Sequence, residues 1–441
     1  MNLSINILTT LSTRLVVAVL ALISSILLAR LLGPEGRGLF ALIQLLPELI
    51  LTFGLLGFDQ AYAVYAGLEP ERRQTLLWQS VIISIIVGGI ASISSSCFII
   101  FGAPGFESLI HGVLWLYILP LVIIPVRMII TYWQAILRGM NQILLINAIE
   151  LGSKMFSVLF IILIVGLLEL NVAGVVSIDV AISLGTIIFL LFIFRSMNVW
   201  GKPSFDWVLW KKVGRFSLPV YLGTVMSYFN YRIDQLFVAI MLPPAKLAFY
   251  VLAVSLAEQM WILTGAVNTA LLPHLTNSKK RDPVLCATIA RHVMVWTGIA
   301  CCLLFLLAKV LVQLMYSNDF IETVAPLQWL LPGVFTLSIG KVLVSELLIR
   351  EKAQVTIWIA IIAAFINITG NLLLIPYMGI SGAALASTIS YTLVSILVIW
   401  LFVRETGVPA RMLIPQRGDL LAYSFIWRRF TKFSGMRTKA T

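Results

Sequence analysis

Twelve apolar runs, at about 8–30, 38–66, 78–101, 113–137, 143–167, 172–195, 216–242, 247–273, 287–310, 326–349, 355–375 and 380–403, leave this chain few architectures. About 20 apolar residues suffice for a helix to cross a bilayer. In lipid every backbone polar group must be satisfied within the segment, so runs of this kind fold as helices. The sequence therefore predicts an all-α polytopic membrane protein with about twelve transmembrane helices in two pseudo-symmetric six-helix bundles. Runs longer than 25 residues imply tilt or extension past the hydrocarbon. Composition agrees, with 60% hydrophobic and 11% charged residues, where soluble domains carry about 25% charged residues.

Charge placement gives the orientation. With the N-terminus inside, the cytoplasmic loops hold Arg72, Arg73, Arg138, Arg195, Lys202, Lys211, Lys212, Arg215, Lys279, Lys280, Arg281, Arg291, Arg350 and Lys352. The tail adds Arg404, Arg411, Arg417, Arg428, Arg429, Lys432, Arg437 and Lys439. The opposite loops and flanks hold only Arg30, Arg37, Lys246 and Lys309. The positive-inside rule then puts both termini in the cytoplasm. Topology accounts for the net charge of +12, so no nucleic-acid partner is required. Cys97, Cys286, Cys301 and Cys302 lie in or beside apolar runs and read as small buried hydrophobes. His111, His274 and His292 are scattered and form no metal motif. The first apolar run, with no A-x-A-like cleavage site behind it, reads as a retained span. All loops are short, and the tail segment DLLAYSFIWRRFTKF (419–433) is expected to lie as a basic amphipathic helix on anionic lipid.

The chain also repeats. A shift of 210 residues sets GLFALIQLLPEL (38–49) over AFYVLAVSLAEQ (248–259), with Glu48 and Glu258 at one step. A shift of 208 sets NVAGVVS (171–177) over GISGAAL (379–385). The domain reading is an N-terminal bundle over 1–200, a cytoplasmic linker over 201–215, a C-terminal bundle over 216–405 and a basic tail over 406–441. Transporters built this way bind substrate between the repeats near the midplane.

Five cations remain inside the runs: Arg14, Arg127, Lys154, Arg232 and Lys341. Each costs about 2.5–3.5 kcal/mol at the centre of a span, on the order of 12–17 kcal/mol for all five, if it faces lipid. They are expected to face a protein interior or a wet cavity, as substrate-binding residues for an anion. Arginine suits phosphate, because its planar fork donates two parallel hydrogen bonds. Some have simpler readings. Glu150 and Lys154 are spaced to pair on one helix, Arg14 is placed to snorkel, and Lys341 has Glu346 imperfectly in reach. Arg127 follows Pro120 and Pro125 with no acid within a turn.

Arg232 and Asp234 sit within one apolar run, roughly 200° apart on a helix, so they do not simply pair. Asn230 shares the face of Asp234. Asn367 and Asn371 in the eleventh run, with Ser387 and Thr388 in the twelfth, supply further oxygens. Asp234, Asn367, Asn371 and Thr388 are therefore candidate ligands for a coupling ion, Na⁺ or H⁺, with neutralisation of Asp234 by a neighbouring arginine as the alternative. Glu48, Glu258 and Asp59 are weaker coupling candidates. Tyr132, Trp133, Tyr228 and Tyr231 are placed to stack on sugars, although aromatic belts and packing explain most such residues.

Four segments resemble one family. ARLLGPEGRGLFALIQ (29–44) resembles the turn between the first two spans of bacterial polysaccharide exporters, and YRIDQLFVAIMLPPAKLAFYVLAVSLAEQ (231–259) looks like their seventh and eighth. YSNDFIETVAPLQWLLPG (316–333) and NLLLIPYMGISGAALASTIS (371–390) are similar to later segments. The chain thus resembles the O-antigen-type oligosaccharide flippases of the multidrug/oligosaccharidyl-lipid/polysaccharide exporter superfamily. That resemblance implies two bundles alternating between inward and outward openings in the bacterial inner membrane. The implied cargo is a polyprenyl-diphosphate-linked oligosaccharide for cell-surface polysaccharide such as lipopolysaccharide or exopolysaccharide, with polymerase machinery as a partner and no cofactor beyond the coupling ion. It also implies that related flippases for peptidoglycan precursor carry an acid in the seventh span and amides or acids in the eleventh; here Asn371 stands where an acid would fit. Drug exporters of the superfamily would need an acidic cavity, and peptidoglycan-precursor flippases have fourteen spans. A membrane-embedded glycan enzyme would need a large loop bearing catalytic groups, and a passive scaffold leaves the buried cations unexplained.

Overall fold

The computed structural model describes residues 3–101, 114–262, 264–268, 283–350 and 353–416. His111, His274 and the expected helix over 419–433 lie outside the described residues. Helix α1 spans Leu3–Gly54 and contains a break at Gly33 (φ 65°, ψ 179°). This backbone region is essentially reserved for glycine, and Pro34 restarts the helix at a position that needs no N–H donor. Ser24 and Glu48 would be roughly 36 Å apart on a straight helix, yet both line one cavity, so the two arms fold back on each other. The second arm ends near Gly57 (φ 72°), and α2 follows over Phe58–Leu68. The single apolar run 38–66 is thus two helical pieces.

Helices α3 (Pro70–Ile100), α4 (Leu114–Gly139), α5 (Ile143–Leu167) and α6 (Asn171–Ser196) complete the N-terminal half. The C-terminal half holds α7 (Trp207–Met241), α8 (Pro244–Glu258), α9 (Pro283–Tyr316), α10 (Val324–Ile349), α11 (Ala353–Met378) and α12 (Ile380–Thr406). Apart from short turns such as the one at 55–57, the twelve apolar runs are helical wherever they are described. Residues 207–215 of the 201–215 segment are already helix, because Asp206 caps α7 through Val208 N–H (2.8 Å) and Leu209 N–H (3.1 Å) and the helix starts at Trp207.

Within the first half α1 packs on α5 and α6, and α2 and α6 pack on α4. Within the second, α10 and α11 pack on α12, and α9 on α10. The halves meet mainly through α1 against α8 and α2 against α7. Glycine permits the closest approach. A Cβ on Gly38 would stand 1.9 Å from the Pro244 carbonyl oxygen. Nearby, Arg30 Nε donates to the Met315 carbonyl at 2.8 Å, and its Nη2 to that of Leu314, tying the first arm of α1 to the end of α9. At the other end the 197–206 segment is strapped to α3. Gln74 donates to Lys202 O (2.7 Å), Trp78 to Gly201 O (3.0 Å) and Gln79 to Asp206 O (2.7 Å).

Cys286 and Cys301 are buried, as expected of small hydrophobes, whereas Cys97 and Cys302 are exposed on their helices. In an apolar solvent an exposed thiol carries little penalty, so the sequence rule drawn from burial does not discriminate here.

Candidate functional site

Two cavities open inside the halves. The first, of about 310 Å³, lies between both arms of α1 and α4, α5 and α6, with Gln235 of α7 and Val251 of α8 also in its lining. Its charged lining is Arg37, Arg127 and Lys154 against Glu48 and Asp179. The second, about 780 Å³, lies in the C-terminal half among α7, α10, α11 and α12, and is lined mostly by apolar residues, with Lys341, Tyr231 and Asn268 among its polar members.

The structure separates the five expected anion-binding cations. Arg127 and Lys154 line the first cavity together. Lys154 makes no ion pair with Glu150 among the described residues, and the same-helix pairing is not formed. Arg127 makes a salt bridge to Asp179 of α6, with Gln44 Nε2 donating to the same carboxylate oxygen at 3.0 Å. The absence of an acid within a turn of Arg127 was therefore no guide to its partner, which comes from another helix. Arg14 is exposed and lines neither cavity. It lies ten residues, roughly 15 Å, from Ser24, the earliest lining residue of its arm.

Arg232 is not an open anion site. Its Nη1 and Nη2 donate to Oε1 and Oε2 of Glu258 on α8 at 2.9 and 3.0 Å, a full bidentate pair. Lys341 does not use Glu346, whose carboxylate accepts from Arg350 at 2.9 Å. Its ammonium rests instead 3.4 Å from the Trp261 ring centroid and 4.9 Å from that of Tyr231. Tyr231, Trp261 and Tyr391 form a trio with centroids 5.7–5.8 Å apart. A cation over such faces is attracted by the ring quadrupoles.

Asp234 is fully buried and makes no ion pair among the described residues, so the arginine-neutralised alternative is not what forms. Tyr250 Oη of α8 donates to its Oδ2 at 2.5 Å and Ser387 Oγ of α12 at 2.7 Å, while Gln235 N–H donates to Oδ1 at 2.7 Å. The chain of amides continues: Asn367 Nδ2 donates to Ser387 Oγ (3.3 Å), and Asn371 Nδ2 to Asn367 Oδ1 (2.6 Å). Asn371 Oδ1 is buried and has no protein partner among the described residues. Asn230 sits one turn before Asp234, with Ser390 Oγ 2.7 Å from its Oδ1. Thr388 does not belong to this cluster. Its Oγ1 donates to the Trp329 carbonyl at 2.5 Å, and its Cα fills the space over Gly333, so it is an α10–α12 packing residue. Ser387, one residue earlier and about 100° round the helix, takes the inward position.

Of the aromatic candidates, Tyr132 and Trp133 are buried in the first half, donating to Leu55 O (3.0 Å) and Ser80 Oγ (3.1 Å). Asp179, Arg37, Gln44, Gln235 and Tyr250 were not singled out by sequence. For Asp179 the available signal is a lone acid well inside the sixth apolar run. Arg37 follows the Gly33–Pro34 break, which turns a residue counted with the outer loops into the cavity.

The family described as polysaccharide biosynthesis protein matches residues 3–279, well over half of the chain. No curated protein matches it significantly. Among solved structures the fold is similar to that of lipid II flippase MurJ in an inward closed conformation, with TM-score 0.74, 16% identity, 92% of this chain and 89% of that one covered. It is also similar to an inward-facing multidrug resistance MATE family transporter of the MOP superfamily, at TM-score 0.65, 14% identity and 89% and 96% coverage. A point mutant of the Vibrio cholerae MATE transporter VcmN gives TM-score 0.61, 13% identity and 91% and 93% coverage. These structural neighbours are a lipid flippase and MATE transporters. With its two helical halves, its paired cavities and this match, the chain is a multi-pass membrane protein of the polysaccharide biosynthesis protein family, with the fold of the MOP-superfamily transporters.

Proposed function

We propose that this protein is a flippase that carries a polyprenyl-diphosphate-linked oligosaccharide from the inner to the outer leaflet of a bacterial cytoplasmic membrane by alternating access, both termini being cytoplasmic. The observation that carries the reading is the cavity where Arg37, Arg127 and Lys154 converge from α1, α4 and α5. Three cations in a space screened from lipid favour a phosphate-bearing headgroup, and guanidinium groups bind it by charge-assisted hydrogen bonds. Arg37, Arg127 and Lys154 replace the five-cation set expected from sequence. Arg232 and Lys341 hold their own half together, and Arg14 lies outside.

A second proposal concerns coupling. Asp234, Asn367, Asn371 and Ser387 bring a carboxylate, amide oxygens and a hydroxyl together in a dry site, a hard-oxygen donor set that fits Na⁺. The buried, unpartnered Asn371 Oδ1 supports a cation there. Titrating the purified protein with NaCl against KCl is expected to raise its melting temperature selectively, and Asp234→Asn to remove that effect. Equal responses to both salts would reject a sodium site.

The cargo reading is tested in liposomes containing a fluorescent polyprenyl-diphosphate oligosaccharide. Wild type is expected to move the lipid, and Arg127→Gln and Lys154→Gln to slow it at least tenfold while inserting normally. Normal flipping by both variants would reject the cavity as the headgroup site. Transport of an organic cation by a wild type inert toward the lipid would favour a drug exporter of the same fold.

A further inference from the structure

Arg127 and Arg232 are both occupied by carboxylates of this chain, but in different ways. Arg232 is gripped through two nitrogens by both oxygens of Glu258. Arg127 engages Asp179 through Nη2 and Oδ2 alone, so its remaining donors are not spent on that acid. Asp179 is the more accessible member, 34% exposed against 13% for Arg127. It faces the cavity, the side from which a ligand arrives. The two residues stand on α6 and α4, so they can part without breaking a helix.

We propose that Asp179 is a resident competitor for the phosphate position at Arg127: the headgroup binds by displacing it, and the exchange makes Asp179 a specificity-determining residue. The inference rests on the diphosphate reading above. The charges facing Asp179 from its surroundings are Arg37 and Glu48 of α1, Arg127 of α4 and Lys154 of α5, with Gln44 and Gln235 as neutral polar neighbours. Without Asp179 the cavity would hold three cations against one acid when no cargo is bound, an arrangement in which like charges repel. With Asp179 the empty cavity is close to neutral. A ligand must then attract Arg127 more strongly than a carboxylate does. The diphosphate bridge of such a cargo carries one charge and two non-bridging oxygens on each phosphorus, two charges in all against the one of a carboxylate, and meets that requirement. A neutral sugar or a lipid monocarboxylate does not. The displaced carboxylate has Lys154 on the neighbouring helix, lining the same cavity, and Gln44 already holds one of its oxygens at 3.0 Å. Release reverses the exchange, so Asp179 also limits how tightly cargo is retained.

The test is binding of the fluorescent polyprenyl-diphosphate oligosaccharide to the purified full chain in detergent, by fluorescence anisotropy, with flipping of the same lipid measured in parallel. Asp179→Asn is expected to bind at least tenfold more tightly than wild type yet to flip more slowly, because the competitor that assists release is gone. In an Arg127→Gln background the same substitution should bring no gain. A folded Asp179→Asn protein that binds equally or more weakly while wild type binds well overturns the competitor and leaves the diphosphate reading standing. If neither form binds, the diphosphate reading has failed and takes the competitor with it. Should Asp179→Asn not fold, Gln44→Leu loosens Asp179 without changing charge; several-fold tighter binding is then expected, and weaker binding counts against the proposal.

Discussion

Two residues apart on α7, Arg232 and Asp234 both reach α8 and meet opposite kinds of partner. Because α7 and α8 run antiparallel, the earlier residue pairs with the later one, Arg232 with Glu258 and Asp234 with Tyr250. Removing one member of a buried ion pair leaves the other charge unmatched. Arg232→Ala is therefore expected to destabilise the protein by about 1–3 kcal/mol, discounted for partial exposure, and Arg232→Ala with Glu258→Ala to recover most of it. Thermal melts of the three variants in detergent decide this, and a double variant as unstable as the sum of the singles would refute pairing. Tyr250→Phe removes one of three hydrogen bonds to a buried carboxylate, a loss of about 1.5–3 kcal/mol. An unchanged melting temperature would show that Tyr250 is not what holds Asp234. Sequence made these two residues conspicuous, because a charge inside an apolar run is costly wherever it is. It could not pair them, since Glu258 is 26 residues from Arg232 and Ser387 is 153 from Asp234.

At the scale of elements, local chemistry explains where helices stop more reliably than how they turn. Gly33 and Pro34 mark the fold-back of α1, and Gly57 the break before α2, both at positive φ. Gly33→Ala is expected to cost about 1–3 kcal/mol, because an L side chain must be forced into a region nearly exclusive to glycine. Gly152→Ala is the control: a Cβ there meets open space, and a small gain in stability is expected. Equal melting temperatures for both variants would remove the strain argument. The internal repeat has a counterpart in contacts as well. The shift that aligns 171–177 with 379–385 also places Asp179 on Ser387, and each is the inward residue of the sixth helix of its half, bonded to a charged group inside the bundle. The Glu48–Glu258 correspondence does not extend that far, since Glu48 lines a cavity and Glu258 closes an ion pair.

At the scale of the whole molecule, polar links join the halves at both ends among the described residues: Lys212 of α7 pairs with Glu69, and Arg72 with Asp206, at one end. At the other, Arg30 ties α1 to the last carbonyls of α9, and Gly38 lets α1 touch the start of α8. If the halves rock, these contacts must open. Arg30→Cys with Leu314→Cys, in a chain whose four native cysteines are replaced, is expected to lose transport when joined by a short bis-maleimide. A cleavable version of the linker should restore it on cleavage. Unchanged transport in the cross-linked protein would show that this junction does not move.

The sequence by itself determined that the chain spans a membrane many times as helices, where those helices lie, that it divides into two related halves and that a handful of intramembrane charges need partners. Those properties follow from local energetics, because apolar length, backbone satisfaction and the cost of a lone charge are set residue by residue. Only the tertiary structure decided that Arg127 and Lys154 share a cavity with Arg37, that Arg232 is held by Glu258, and that Ser387 rather than Thr388 faces Asp234. Such choices depend on which faces of distant helices meet, and about 100° of rotation per residue separates a ligand from a packing contact.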